Sequence, residues 1–180
     1  MVDDSARTIR AAVTTLTIRR FDAADWPAVW AILQPTFAAG DTYAFPLDIA
    51  EGDARRLWTE LPLATYVAAT GDAAVRGTYY LKPNQQGPGA HVCNCGYVVA
   101  PAARGQGIAS AMCEHSQREA ASFGFRAMQF NLVVATNVGA VRLWQRLGFA
   151  IVGTLPGAFR HSRLGFIDAH VMYKTLAPAA

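Results

Sequence analysis

A chain of 180 residues, 52% hydrophobic and 16% charged, has the length and apolar content of one well-packed domain and is not intrinsically disordered. Sixteen basic residues against 13 acidic ones give a net charge of +3, too little to argue for a nucleic-acid partner, and the arginines are dispersed. No apolar run approaches the roughly 18 residues of a membrane span, and the N-terminal stretch has no hydrophobic signal core. The expectation is a soluble, cytoplasmic protein with no membrane partner.

Taken in chain order, residues 1–14 and 177–180 read as flexible ends of a single domain over 15–176. Thr15–Arg19 alternates apolar and polar residues as a strand does. Asp22 and Asp25 then precede Trp26, Val29, Trp30 and Leu33, a helical spacing, with Pro27 in the first turn and Pro35 as the stop. A second helix is expected from about Asp48 to Leu61. Thr65–Ala69 and Ala74–Leu81 make a hairpin around Thr70-Gly71-Asp72, and His91–Val99 is a third strand. Gly105-Gln106-Gly107 opens a helix that Gly124 stops. Met128, Phe130, Leu132 and Val134 alternate in the next strand. Asn137 is placed to cap a helix carrying Ala140, Leu143, Trp144 and Leu147. Two last strands, about Ala150–Leu155 and Ile167–Lys174, are separated by a glycine-containing loop. The order β-α-α-β-β-β-α-β-α-β-β describes an α+β mixed sheet with helices on both faces.

Cysteine usage fits a reducing compartment. Cys93, Cys95 and Cys113 are odd in number and form no CxxC, and the four histidines show no ligand spacing, so no metal is expected. Cys93 and Cys95, two apart in a strand, should point to one face as buried, reduced thiols.

The chemistry concentrates where a strand ends in Val98-Val99-Ala100 and a loop, Arg104-Gly105-Gln106-Gly107-Ile108-Ala109, starts a helix. Backbone amides unshielded by Cβ atoms, beside the positive end of a helix dipole, make an anion site suited to phosphate. A P-loop is excluded because GxxxxGK[ST] is absent and the only lysines are Lys82 and Lys174. A dinucleotide fingerprint fails at Ser110, where its third glycine would stand, and no acidic residue follows at the ribose distance.

This loop resembles the acyl-CoA loop of the GNAT superfamily of N-acetyltransferases, R/Q-x-x-G-x-G/A after a strand, with Arg104, Gly107 and Ala109 at the marked positions. Asn137 to Phe149 (NVGAVRLWQRLGF) is similar to the superfamily's N-x-x-A-x-x-L-Y-x-x-x-G-F helix. The resemblance covers about residues 15–176. It implies the GNAT fold, a mostly antiparallel mixed sheet of about seven strands flanked by four helices. It also implies acetyl-CoA as co-substrate, its pyrophosphate on the amides of Arg104 to Ala109. The pantetheine arm would run along Val98–Ala100, in the gap between that strand and Gln129–Val134. The amide of Val98 or Val99 would polarise the thioester carbonyl. Asn137 would meet the cofactor near its thiol.

One departure stands out. Trp144 occupies the position of the tyrosine that usually protonates the leaving thiolate, and indole is no general acid at neutral pH. Tyr79, Tyr80 and Tyr97 are the candidate substitutes, alongside water or Asn137.

Asn94 and Asn131 resemble the strand asparagines with which fungal N-acetyltransferases of azetidine-2-carboxylate hold a substrate carboxylate, together with the following backbone amide, here that of Leu132. Two neutral amides on neighbouring strands can donate to a carboxylate without a buried cation. Tyr43 lies where relatives roof the acceptor, and Arg160, in the loop Leu155–His161, could hold an anion. The expected acceptor is a small-molecule amine, an amino or imino acid first. Protein, peptide and aminoglycoside acceptors, and a non-catalytic acyl-CoA-binding module, are the rivals. Relatives are often dimers, so a homodimer is a further expectation.

Overall fold

The computed structural model describes residues 15–71 and 73–176, so the expected flexible ends and Asp72 of the expected turn lie outside the described residues. A seven-stranded sheet in the order β1-β2-β3-β4-β5-β7-β6 organises the chain. Its strands are β1 (Thr17–Arg20), β2 (Ala64–Ala69), β3 (Val75–Pro83), β4 (Val92–Val99), β5 (Ala127–Val134), β6 (Ala150–His161) and β7 (Gly165–Thr175). All neighbours are antiparallel except β4 and β5, which pair in parallel at Val92↔Ala127 and Cys93↔Met128 alone. Beyond Cys93 the two strands part, and the resulting gap positions the site.

Four helices cover the two faces. On one face α1 (Trp26–Ala39) and α2 (Glu51–Arg55) bury Val29, Leu33, Phe37 and Ala54 against Val67, Tyr80 and Val98. On the other, α3 (Ile108–Ser122) and α4 (Val138–Arg146) bury Met112, Cys113 and Trp144 against Tyr79, Cys93, Cys95, Met128 and Phe130. Cys93 and Cys95 do share a face, and all three thiols are free and buried. Burial raises the Cys113 thiol to about 11, which makes it an apolar filler and not a nucleophile.

Three local expectations need correction. Pro35 does not stop α1, which runs to Ala39 and ends on Gly40 in the left-handed region (φ 61°). The proline cannot donate to the Ala31 carbonyl, but Ala31 and Pro35 are both exposed, on the solvent side of the helix where the lost bond costs least, while buried Phe37 anchors the helix in the core. The helix expected over 48–61 is shorter at its start and widens after Arg55 into a π turn, Arg56–Glu60, that seats the buried Trp58. There the Trp58 indole donates to Thr78 Oγ1 (3.1 Å) and Thr65 Oγ1 donates to the Trp58 carbonyl (2.7 Å). The expected loop at Leu155–His161 belongs to β6, which pairs with β7 as far as His161↔Gly165, with irregular register between Leu155 and Phe159.

The tip of this last hairpin reaches back across the molecule. Ser162 N–H donates to the Gly40 carbonyl (2.9 Å) and Ser162 Oγ to the Ala39 carbonyl (2.6 Å). The end of α1 is thereby tied to β6 and β7 over the gap.

Candidate active site

Two cavities meet in the gap. One, of about 890 Å³, is lined by Val98, Val99, Arg104, Gly105 and Ala109 on one side and Asn137, Gly139 and Leu143 on the other. The second, of about 340 Å³, is lined by Phe45, Tyr80, Lys82, Asn94, Gly96, Asn131 and Leu132, among others. Thr42, Tyr43, Tyr97, Asn137, Ala140 and Trp144 line both. The two cavities are therefore adjacent at these residues.

The larger cavity is built by the glycine loop. Gly105 and Gly107 both sit at left-handed φ (76° and 78°), a conformation that costs an ordinary L-residue roughly 1–2 kcal/mol. Gly107 is the N-cap of α3, so the first free amides of that helix, Arg104 and the two glycines form one electropositive corner. Two residues of the loop turn elsewhere. Ile108 is buried in the core, and Gln106 Nε2 folds back to the Ala102 carbonyl (3.3 Å). Ala100 lines neither cavity and donates its N–H to the Arg76 carbonyl (2.8 Å).

Strand parity decides between Val98 and Val99. In β4 the Val92 carbonyl and the Ala100 N–H face β3, accepting from Asn84 N–H and donating to the Arg76 carbonyl, whereas the His91 carbonyl faces β5 and the Tyr97 carbonyl faces the gap. Backbone groups alternate sides along a strand, so Val98 directs its amide into the β3 ladder. The expectation of Val98 as carbonyl-polarising donor is therefore corrected. Val99, together with Tyr97, turns its amide to the gap, and Val98 contributes only its buried side chain to the wall.

Asn137 caps α4 by accepting from Ala140 N–H (3.2 Å). Its Nδ2 makes no hydrogen bond among the described residues, and Asn137 lines both cavities. Trp144, 9% exposed, is packed against Tyr97 and Phe130, with ring centroids 5.1 and 5.2 Å away.

The tyrosines sort by where their hydroxyls point. Tyr79 meets His115 Nδ1 (2.7 Å) and Tyr97 meets Ser116 Oγ (2.7 Å), both on the α3 side of the sheet. Tyr80 donates to Asn94 Oδ1 (3.3 Å). Tyr43, which sequence reasoning marked only as roof, donates to the Tyr97 carbonyl (3.0 Å) where the cavities join, and burial raises its pKa well above that of an ordinary phenol.

Asn94 and Asn131 do come together in the smaller cavity. Asn94 Nδ2 donates to the Gln129 carbonyl (2.9 Å), and Asn131 Nδ2 donates to Asn84 Oδ1 (2.7 Å) while its Oδ1 accepts from Gln129 Nε2 (2.8 Å). Asn131 and Leu132 lie in the bulge where β5 slips register against β7 between Phe130 and Val133. Opposite, Gly96 faces Tyr80 in the β3–β4 register, and a Cβ there would lie 2.6 Å from the Tyr80 ring and 3.0 Å from the Tyr43 hydroxyl. Arg160 lines neither cavity. His161 and Arg163, which the sequence did not single out, line the larger one. Their position depends on the hairpin tip, whose turn is held by Arg163 N–H donating to His161 Nδ1 (3.1 Å), and no local motif marks it.

Among the described residues no group of three His, Cys, Asp or Glu side chains could hold a metal, and no helix is long and apolar enough to cross a membrane.

A profile of the Acetyltransferase (GNAT) family matches residues 26–149, and the chain belongs to that family. It is similar to the structure of a GCN5-related N-acetyltransferase from Kribbella flavida, 43% identical with a TM-score of 0.85, over 89% of this chain and 98% of that one. The N-acetyltransferase aca1 of Schizosaccharomyces pombe is 38% identical over 96 residues, 53% of this chain and 46% of that protein, so the chain spans about half of that relative. A phosphinothricin acetyltransferase from Sinorhizobium meliloti, solved with acetyl-CoA, shares the fold at 21% identity and a TM-score of 0.81, over 91% of this chain and 89% of that one.

Proposed function

We propose that the chain is a cytoplasmic N-acetyltransferase that moves acetyl from acetyl-CoA directly to the amine of a small amino or imino acid. The observation that carries the reading is a glycine-cradled cavity lying against a smaller, asparagine-lined one, with Tyr43, Asn137 and Trp144 among the residues lining both. In this reading the pyrophosphate rests on the amides around Gly105–Gly107 with Arg104 beside it, and the pantetheine arm pairs with the free edge of β4. The Val99 amide polarises the thioester carbonyl, and Asn137 Nδ2 steadies the thiol end. The neutral amine attacks that carbonyl, the C–S bond breaks, and the thiolate leaves as coenzyme A.

Tyr43 is the proton donor in this scheme. It is the one candidate whose hydroxyl stands where the cavities join, and burial keeps it protonated. Because a buried phenolate does not persist, the proton it gives the thiolate is replaced by the one the attacking nitrogen sheds, directly or through water. Asn94, Asn131 and the Leu132 amide hold the substrate carboxylate. No Asp or Glu lines the smaller cavity, which disfavours a polycationic aminoglycoside, and about 340 Å³ suits a small molecule better than a peptide.

The test is thiol release from acetyl-CoA with a panel of amino and imino acids, peptides and aminoglycosides. Turnover confined to peptides or aminoglycosides overturns the substrate class. Tight acetyl-CoA binding with no turnover on any of them points to a non-catalytic binding module. Sedimentation of the purified chain tests the expected homodimer.

A further inference from the structure

We infer that Lys82 supplies the positive charge that selects the acceptor, so that the smaller cavity takes amines bearing a carboxylate and discriminates against their neutral amides. The inference rests on the small-acceptor reading above. Lys82 stands directly opposite Asn94 in the β3–β4 register, on the same face of the sheet as Tyr80, and lines the cavity with Asn94 and Asn131. Its Nζ lies 5.3 Å from the Tyr80 ring centroid, which holds the chain of methylenes along the cavity wall. Among the described residues it enters no ion pair, the one present being Arg19–Asp25, and no carboxylate shares the cavity. The other lysine has a structural task, since Lys174 Nζ donates to the Leu147 carbonyl at the end of α4 and to Gln117.

The hydrogen bonds of the two asparagines complete the argument. Asn94 Oδ1 already accepts from Tyr80, and Asn131 Oδ1 already accepts from Gln129 Nε2. Each Nδ2 makes one bond within the protein and keeps a second N–H. A ligand reaching this corner therefore meets N–H donors from both amides and an ammonium, while one of the two lone pairs on each amide oxygen is already engaged. A group that accepts hydrogen bonds and carries negative charge makes fuller use of such a corner than a neutral carboxamide, which gains far less from the ammonium. The sequence suggested recognition by neutral amides alone; the structure adds an exposed cation at the rim.

The experiment compares azetidine-2-carboxylate with azetidine-2-carboxamide as acceptors for the wild-type chain, Lys82→Met and Lys82→Glu. Thermal unfolding and acetyl-CoA affinity report whether each variant is folded. The wild type is expected to prefer the acid, and Lys82→Met to raise the KM for the acid roughly tenfold or more, with kcat changed far less. Lys82→Glu is expected to invert the acid-to-amide ratio of kcat/KM. An unchanged ratio in both folded variants overturns the role of Lys82 while leaving the substrate class standing. Failure of the wild type to acetylate either compound or any amino acid overturns the acceptor reading and this inference with it.

Discussion

Asn94 on β4 reaches across the mouth of the sheet to Gln129 on β5, its Nδ2 2.9 Å from the Gln129 carbonyl, one residue past the last parallel backbone pair. A side chain thus takes over where the backbone ladder stops, and it fixes how far the strands are open at the floor of the smaller cavity. Asn94→Ala removes this bridge and leaves a carbonyl without its partner, an expected loss of about 1–3 kcal/mol in urea unfolding. The same variant should raise the acceptor KM. A rise in KM with unchanged stability would mean the bridge carries no load.

Tyr43→Phe keeps the aromatic packing on Phe37 and Phe45, whose centroids lie 5.5 and 5.8 Å away, and removes only the hydroxyl. The expected result is a kcat about 10²-fold lower with acetyl-CoA affinity intact. Unchanged kcat in steady-state assays would assign the proton to water.

Gly107→Val forces a branched residue into a left-handed position at the start of α3. The expected cost is roughly 1–2 kcal/mol of stability. Acetyl-CoA binding measured by calorimetry should weaken about tenfold as the amides tilt from the phosphate. Equal affinity would remove the loop from the cofactor site.

Stability should also depend on pH through His115. Burial lowers its pKa, opposed by Glu119 and aided by Arg118, and the ring meets the Tyr79 hydroxyl. The fold prefers the neutral ring, so this contribution is complete above the unfolded pKa of about 6.5 and is lost as pH falls through the lower folded value. Thermal unfolding should show a midpoint that falls as the pH drops below about 6.5, and His115→Gln should flatten that slope. An equal slope in the variant would place the titrating group elsewhere.

Much of this was legible in the sequence because the information is local. Asn137 precedes a helix and caps it, and the glycines at 105 and 107 mark left-handed positions that other residues resist. The order of elements and the seven-stranded sheet followed from periodicity and from the two motifs. What escaped depended on register or distant contacts. The choice of Val99 over Val98 needs the parity of β4 against β3, which no residue of β4 declares. The continuation of α1 past Pro35 depends on Ala31 facing water. Lys82 and Arg163 gain their places from a partner strand and from the Ser162 tie, and neither carries a motif.

Gly96 has a consequence for how the acceptor cavity can change. Its missing side chain is space already claimed by the Tyr80 ring and the Tyr43 hydroxyl, and both phenols are held by bonds to Asn94 and Tyr97. That wall is closed to gradual substitution, because even one added carbon would displace the Tyr80 ring beside Asn94 and the Tyr43 hydroxyl, the proposed carboxylate partner and the proposed proton donor. Lys82, exposed at the rim, and the bulge of Asn131 and Leu132 across the gap meet no such obstruction, so substitution there changes what the cavity recognises. Variants with altered acceptor range should therefore arise at these positions, and a library randomised at 82, 131 and 132 should yield them where one at 96 yields inactive protein.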